Sequence, residues 1–520
     1  MSESATLTLL LTDLVDSTRI VSQLGDARAA EMMARHDRVA RDLLEPHRGR
    51  EIDKSDGFLH TFEQPLDAVR YALAYHRALV ALSKELGISL YARAGMHTGS
   101  VRLTWNAPED VARGAKPCEV EGIAKATAAR IMTLAMGGQT LLSSHTLALV
   151  SGELGGRDDM RLVSHGHYRL KGVPEPMEIS EVAELAEGVL RPPPDTAKVH
   201  RVVRTDGGWR PVREVPNNLP PERVRFFGRK HELRGIADHF DKHTRIVTLA
   251  GPGGTGKTHL AQHYGRTWLG DWPGGVWFCD LAEARGELDV ARSVGRVLQV
   301  PLEKGDPIDT IGEALSHRGR LLLILDNFEQ IVDVAASTLA RWVDSAPDSS
   351  WLVTSRQRLD VRGEQLVMVD PLPLPDTAWS PAEVAVNPAV ALFVSRAQAV
   401  QPRFRLDDRV RDDVVRLVRL LDGLPLALEL AAARVRVLPP KRILDRMNRR
   451  FDLLRGQRGR GRGRQATLKG TIDWSWDLLA PHERAALAQC AVFEGGFDLE
   501  AAEAVIDLSP WPDAPWPMDT

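Results

Sequence analysis

Short apolar runs and amphipathic stretches alternate along the first third of the chain. Leu7–Thr12 is a mostly apolar run of strand length and predicts a buried strand. Ala27–Leu44 and Pro65–Leu86 space their apolar residues three and four apart, which predicts two helices. Tyr91–Met96 and Gln139–Ser143 predict further strands. From about 184 to 221 the pattern breaks into RPPPD, DGG and PNNLPPE. That composition predicts a linker whose prolines limit its flexibility. Beyond it, apolar runs at Arg245–Ala250, Gly275–Cys279, Leu321–Leu325 and Trp351–Thr354 alternate with helical segments. Alternation of that kind predicts a parallel α/β sheet. From about Asn387 helical spacing takes over, and Val410, Val414, Leu417 and Leu421 fall on one face. A smaller helical unit begins at Leu468, before a turn-rich end, DLSPWPDAPWPMDT.

Composition narrows this picture. A chain of 520 residues is too long for one ordinary core and suggests about three domains. The net charge of −3 gives no electrostatic pull toward nucleic acid or an acidic membrane. Cys118, Cys279 and Cys490 are far apart and form no C-x-x-C pair, which argues against a disulfide framework or structural zinc and fits a reducing cytoplasm. The first residues lack a basic region and a signal-length apolar run, and no stretch approaches a membrane span. The expectation is a cytoplasmic protein without a membrane segment.

The densest chemistry is GPGGTGKT, Gly251 to Thr258. It satisfies G-x-x-x-x-G-K-[ST] between an apolar strand and a helical segment. Gly251, Gly253, Gly254 and Gly256 let successive backbone N–H groups converge on phosphate oxygens, and the helix N-terminus adds positive potential. Lys257 would reach the terminal phosphates and Thr258 would ligate Mg2+. RLLLILDNFEQ ends a five-residue apolar strand on Asp326, suited to the magnesium water shell. Glu329 is a candidate to polarise water, and Arg356, in TSR, to sense the γ-phosphate. ATP is the expected ligand.

FFGRKHEL, the P-loop, LILDNFE, TSR, GLPLA (Gly423–Ala427) and DWSWDLL…AVFEGGF, taken together, resemble signal-transduction (STAND) ATPases of the NB-ARC type. The resemblance covers about 222–505. It implies an ATPase core, a helical domain and a winged-helix domain acting as a nucleotide-dependent switch, with a protein partner of the ATPase module left open. The expected units are 222–386 for the P-loop NTPase domain, 387–435 for the helical domain and 436–520 for an incomplete winged-helix region.

In the first third, LLTDLVDST sets Asp13 just after a strand, and EIDKSDGFLHTF sets Asp56 at a strand turn. Two such carboxylates can clamp two magnesium ions for an in-line phosphorus displacement, although the pair alone reads better as surface turns. TDLVDST, DGFLHTF, RAGMHTGSV, EVEGIAKATAARI and LKGVPEPMEISEV, in that order, resemble the class III adenylate/guanylate cyclase domain over 6–183. The resemblance implies a ferredoxin-like α/β core and a head-to-tail homodimer whose active sites take residues from both subunits. It implies Asp13 and Asp56 as ligands of Mg2+ or Mn2+, Arg130 as the transition-state arginine and Lys171 as the triphosphate lysine. Departures fall on the base and ribose. Ile52 stands where the family has its base-reading lysine, with Lys54 nearby as a substitute. Glu119 takes the base-reading aspartate position, and Ala126 the asparagine position. WNAPEDVARGAKP lengthens the arm between two of the motifs.

The whole reads as a multidomain α/β signalling protein: a cyclase domain, a linker at 184–221, and a STAND switch. The cyclase would convert ATP to cyclic AMP and pyrophosphate. A different base preference, a degenerate cyclase-like dimerisation module, and a transcriptional regulator stay open as alternatives. RGQRGRGRGR at Arg455–Arg464 reads as an exposed loop rather than an RNA-binding tract, and nucleic acid is not the expected partner.

Overall fold

A computed structural model of the chain describes residues 2–55, 57–154, 160–184, 188–205, 207–222, 224–302, 305–376, 378–447, 476, 479–493 and 498–511. Asp56, the Arg-Gly run and most of the expected winged-helix region lie outside them.

The first unit is one large mixed sheet. Its strands are β1 (Ser2–Leu14), β2 (Arg50–Lys54), β3 (Gly57–Phe62), β4 (Ala92–Trp105), β5 (Cys118–Glu121), β6 (Thr140–Ser143), β7 (Met160–Leu170), β8 (Met177–Glu184), β9 (Val199–Thr205) and β10 (Gly208–Pro211). The order is β10-β9-β7-β8-β6-β4-β1-β3-β2, with β5 also on β4. Leu7–Thr12 lies inside the central strand β1, as its apolar character requires. The helix Pro65–Leu86 starts on a proline and ends against Gly87 at φ 65°, both matching the backbone those positions need. It packs with Asp26–Asp42 on one face, around Tyr71, Tyr75, Phe58 and Leu10. The other face carries the helix Ile123–Leu134. Gly95 makes this approach feasible: a Cβ there would lie 2.1 Å from the Met132 amide nitrogen.

The stretch expected to be a linker does not behave as one. Val199–Thr205 pairs with β7 and Gly208–Pro211 with β9, so the first sheet continues to residue 211. Val199, Val202 and Val203 are buried, which drives the pairing despite the flanking breakers. Its start is tied down by the fully buried Glu181. That carboxylate accepts from the amides of Val189 and Leu190 at 3.1 and 3.0 Å, and from Gln139 Nε2 at 2.6 Å, with His165 Nε2 at 2.9 Å.

The second unit is a five-stranded sheet, wholly parallel: β11 (Ile246–Ala250), β12 (Val276–Asp280), β13 (Leu321–Asp326), β14 (Ser349–Ser355) and β15 (Glu364–Met368), ordered β12-β13-β14-β11-β15. Residues 216–218 run along the outer strand β12. The Val276 amide donates to the Pro216 carbonyl, and the Asn218 side chain exchanges two hydrogen bonds with the Phe278 backbone, at 2.6 and 2.8 Å. One strap, 196–222, therefore joins both sheets by backbone-type pairing. Ion pairs Arg161–Asp238 and Arg201–Asp271, and a bond from Arg234 to the Gly188 carbonyl, add to the junction.

A helical cluster follows, from Pro381 to Asp445. Val414, Leu417 and Leu421 are buried in its core and Val410 packs against it, as their spacing predicts. Among the described residues no helix is long and apolar enough to cross a membrane.

Candidate functional site

The parallel sheet sets the P-loop chemistry. Because β14 lies between β11 and β13, the ends of three neighbouring strands meet beneath the loop. Gly254 and Gly256 adopt left-handed backbone at φ 83° and 93°, and Lys257 opens the helix Lys257–Thr267. The Lys257 ammonium lies within the loop, donating to the carbonyls of Gly251 at 2.6 Å and Pro252 at 3.0 Å. The Thr258 hydroxyl meets both carboxylate oxygens of Asp326, at 2.8 and 3.0 Å. Thr354 donates to the same carboxylate at 2.5 Å. Glu329 accepts from Arg356 Nε at 3.2 Å, while its Oε2 is buried without a hydrogen-bond partner among the described residues. All the P-loop residues singled out in the sequence, with Asp326, Glu329 and Arg356, thus belong to one neighbourhood.

Burial dominates the electrostatics. It pushes the Asp326 carboxyl up to about 6, against the hydrogen bonds from Thr354 and Thr258, with Asp280 and Glu329 adding to the rise. It lowers Lys257 to about 8, partly offset by Glu329 and Asp326 and reinforced by Arg356. Both shifts oppose charge in the site, so an ion of the opposite sign beside either group would favour its charged form. Its oxygen donors, Thr258 and Asp326 side by side, have the hard chemistry that suits Mg2+.

Motifs from outside the P-loop close on it. Arg229, in FFGRKHEL, donates to the Thr255 carbonyl at 2.9 Å and to Glu232 at 2.6 Å. The Leu426 amide, in GLPLA, donates to the Gly254 carbonyl at 3.2 Å. Gly423 takes φ 64°, and a Cβ there would meet the Leu372 carbonyl oxygen at 2.1 Å, so this turn requires glycine. Thr354, Arg229 and Leu426 were not singled out from the sequence. Each lies in a string that was noted, but its role depends on pairing across the fold.

The first unit divides its candidates in two. Asp13 is the penultimate residue of β1, where Arg93 on the neighbouring β4 donates to Oδ2 through Nε at 2.9 Å and Nη2 at 2.5 Å. Asp13 is in register with Gly57, so the β2–β3 turn reaches the same end of the sheet. Arg130 and Lys171 form the other group: Arg130 Nε donates to the Lys171 carbonyl at 3.4 Å. Lys171 follows β7, four strands from β1 in the sheet order, or roughly 19 Å at ordinary strand spacing. Among the described residues no hydrogen bond or ion pair links Asp13 to Arg130 or Lys171. Lys54 is ion-paired with Asp37, which also approaches His36 Nδ1 at 3.1 Å. Ile52 packs against an apolar cluster with Leu9, Leu59 and Val120. Glu119 is exposed and accepts from Asn106 at 3.1 Å, and Ala126 is exposed. The lengthened arm holds a short helix, Pro108–Ala112, and its Lys116 pairs with Asp53 on the β2 side at 2.5 Å. Among the described residues no cluster of three or more His, Cys, Asp or Glu side chains forms a metal cage.

Residues 239–359 match the family model described as an AAA domain. An uncharacterized protein of Mycobacterium tuberculosis is 37% identical over 305 residues, spanning 57% of this chain and 74% of that protein. A second M. tuberculosis protein, named as an HTH-type transcriptional regulator, is 37% identical over 273 residues, 51% of this chain but only 29% of its own length. Over 35% of the chain the structure is similar to the adenylyl cyclase CyaB from P. aeruginosa, at 16% identity, 96% of that chain and a TM-score of 0.32. It is similar to the guanylyl cyclase Cya2 over 35%, at 24% identity, 93% of that chain and a TM-score of 0.31. Fold and P-loop together define the class: a mixed α/β protein built around an AAA-type P-loop ATPase domain. Within that class, the chain belongs to the family of the uncharacterized M. tuberculosis protein.

Proposed function

We propose that the chain is a signalling nucleotide cyclase governed by an ATP-binding switch of the NB-ARC type. The P-loop unit would bind ATP through the Gly251–Thr258 loop, with Thr258 and Asp326 holding Mg2+ against the phosphates. That ion, when bound, neutralises phosphate charge. Lys257 contributes a fixed cation, Glu329 orients water, and Arg356 reads the terminal phosphate. The bond from Leu426 to Gly254 links the helical cluster to the phosphate loop, so loop rearrangement would shift that cluster.

The first unit would close the ribose 3′-oxygen of ATP onto the α-phosphorus, releasing pyrophosphate. Asp13 and Asp56 would hold Mg2+ or Mn2+, and Arg130 and Lys171 from a second copy would neutralise charge on phosphorus and on the leaving group. The observation that supports this reading is that Arg130 and Lys171 contact each other while Asp13 is held by Arg93, with no bond between the two groups among the described residues. A head-to-tail pair of copies would complete two sites.

The test is complementation. Asp13→Ala and Arg130→Ala, assayed separately with ATP or GTP and Mg2+ or Mn2+, should each lose at least about a hundredfold in cyclic product. Mixed, they should recover up to about a quarter of wild-type activity, because a mixed pair holds one intact site. Activity in either single variant equal to wild type, or no product from wild type with any base, would sink the reading. A second reading, a cyclase-like dimerisation module in a nucleotide-dependent scaffold or transcriptional regulator, is favoured by Ile52, Ala126 and the Asp37-bound Lys54. It predicts a dimer without cyclic product.

A further inference from the structure

The junction between the two sheets contains two adjoining cavities, of about 380 and 460 Å³. They share Arg191 and His263 in their walls. One wall is the strap and the other is the helix that carries Lys257, so the cleft touches both units. Its lining is rich in arginine: Arg191, Arg201, Arg213 and Arg266 in the first cavity, Arg225 in the second.

Two carboxylates, Asp195 and Glu222, also line the cleft, and these and Asp271 are engaged by groups of its own wall. Asp271 holds Arg201 at 2.5 Å, and Asp195 accepts the Arg201 backbone amide at 2.8 Å. Glu222 meets His263 Nδ1 at 2.8 Å and lies 3.8 Å from Arg266, which also donates to the Pro220 carbonyl. Arg191 has no carboxylate within ion-pair distance among the described residues; its hydrogen bond goes to the Met136 thioether at 3.4 Å. Burial lowers its pKa, with Glu181 and Glu222 acting on it from farther off. Arg213 and Arg225 likewise form no ion pair among the described residues; Arg225 stacks on Phe227 at 5.5 Å. Arg201, only 7% exposed, keeps Nη1 without a hydrogen-bond partner. A half-buried guanidinium beside unmatched cations is costly unless an anion completes it.

We propose that this cleft binds a small phosphorylated anion, centred on Arg191, with Arg213 and Arg225 serving its two chambers. Guanidinium forks match phosphate oxygens in pairs, and each chamber has the volume of an ordinary small-molecule site. The site is separate from the P-loop and from Asp13, and it does not depend on either nucleotide reaction. An occupant would touch the strap and the P-loop helix at once and hold the two units in a fixed relation.

The probe is inorganic pyrophosphate, with ATP as a parallel arm, titrated calorimetrically into the full chain carrying Asp13→Ala and Lys257→Ala. These changes weaken the other two phosphate sites. Pyrophosphate or ATP should bind, and adding Arg191→Gln should weaken that binding at least tenfold. Adding Arg213→Gln, at an exposed side chain where folding is not at stake, should weaken it several-fold. Tighter pyrophosphate than ATP would identify a free anion, and the reverse a nucleotide. Absence of binding by both probes, or binding unchanged in folded Arg191→Gln and Arg213→Gln proteins, would overturn the proposal. Should Arg191→Gln fail to fold, Arg213→Gln alone decides.

Discussion

Asp326 is an acid held where ionisation is disfavoured. Its pKa of about 6 stands above an ordinary aspartate value of about 3.9, so the fold prefers the protonated form. The sign follows directly. Its contribution to stability is fully present below about pH 4 and is lost as pH rises through 6, a difference of roughly 3 kcal/mol. Asp326→Asn, which cannot ionise, should unfold at a higher temperature than wild type at pH 7.5 without Mg2+, and the gain should shrink at pH 5. Adding Mg2+ and ATP should stabilise wild type but not the variant. Thermal scans at the two pH values check both. At the neighbouring position, Lys257→Ala should weaken ATP binding to the full chain at least tenfold by calorimetry. These two residues were legible in the sequence because strand, loop and acid are fixed by contiguous spacing. Arg93, which grips Asp13, was not: nothing local to RAGMHTG says which β1 residue lies opposite. Glu119 and Ala126 were placed only by likeness to a family, and the geometry around them leaves their roles to the cyclase assay.

At the scale of elements, the helix Pro65–Leu86 was fully legible, since long periodic segments with their own start and stop signals carry their structure locally. The strands β11 to β14 were legible to within a residue or two, because a doubly covered parallel sheet demands continuous apolar runs. β15 was not read from its sequence. Its pattern, with Glu364 buried and Leu366 and Met368 exposed, inverts the usual signal. Glu364 is instead held by the amides of Leu359 and Asp360. The GLPLA turn gives a testable element. Gly423→Ala would force a Cβ against the Leu372 carbonyl in left-handed backbone, costing about 2 kcal/mol in thermal or denaturant unfolding. Since the same turn positions the Leu426 amide on the P-loop, ATP affinity should fall as well, by several-fold in calorimetry.

For the whole molecule, the main surprise was the strap. Its prolines and glycines report only local flexibility, whereas its strands exist through partners far along the chain, at β7 and β12. Such pairing is invisible to composition. The Arg201–Asp271 pair lies at its centre, with the arginine almost wholly buried. Arg201→Ala should destabilise the chain by about 3 kcal/mol, since it strands Asp271 beside the junction. Arg201→Met with Asp271→Met should recover part of the loss. In calorimetry the wild-type sheets should unfold together, and Arg201→Ala should separate the transition into two.

The strap has one more consequence, for what happens when the chain is divided. Edges of open sheets carry rows of free peptide groups that invite pairing with other chains. Residues 216–218 cover the outer side of β12, and β9 covers β7. A cut after residue 222 removes the first cover, and one before 199 removes the second. Fragments made at those places should self-associate in sedimentation more than the intact chain, in which β7 and the outer side of β12 are both paired.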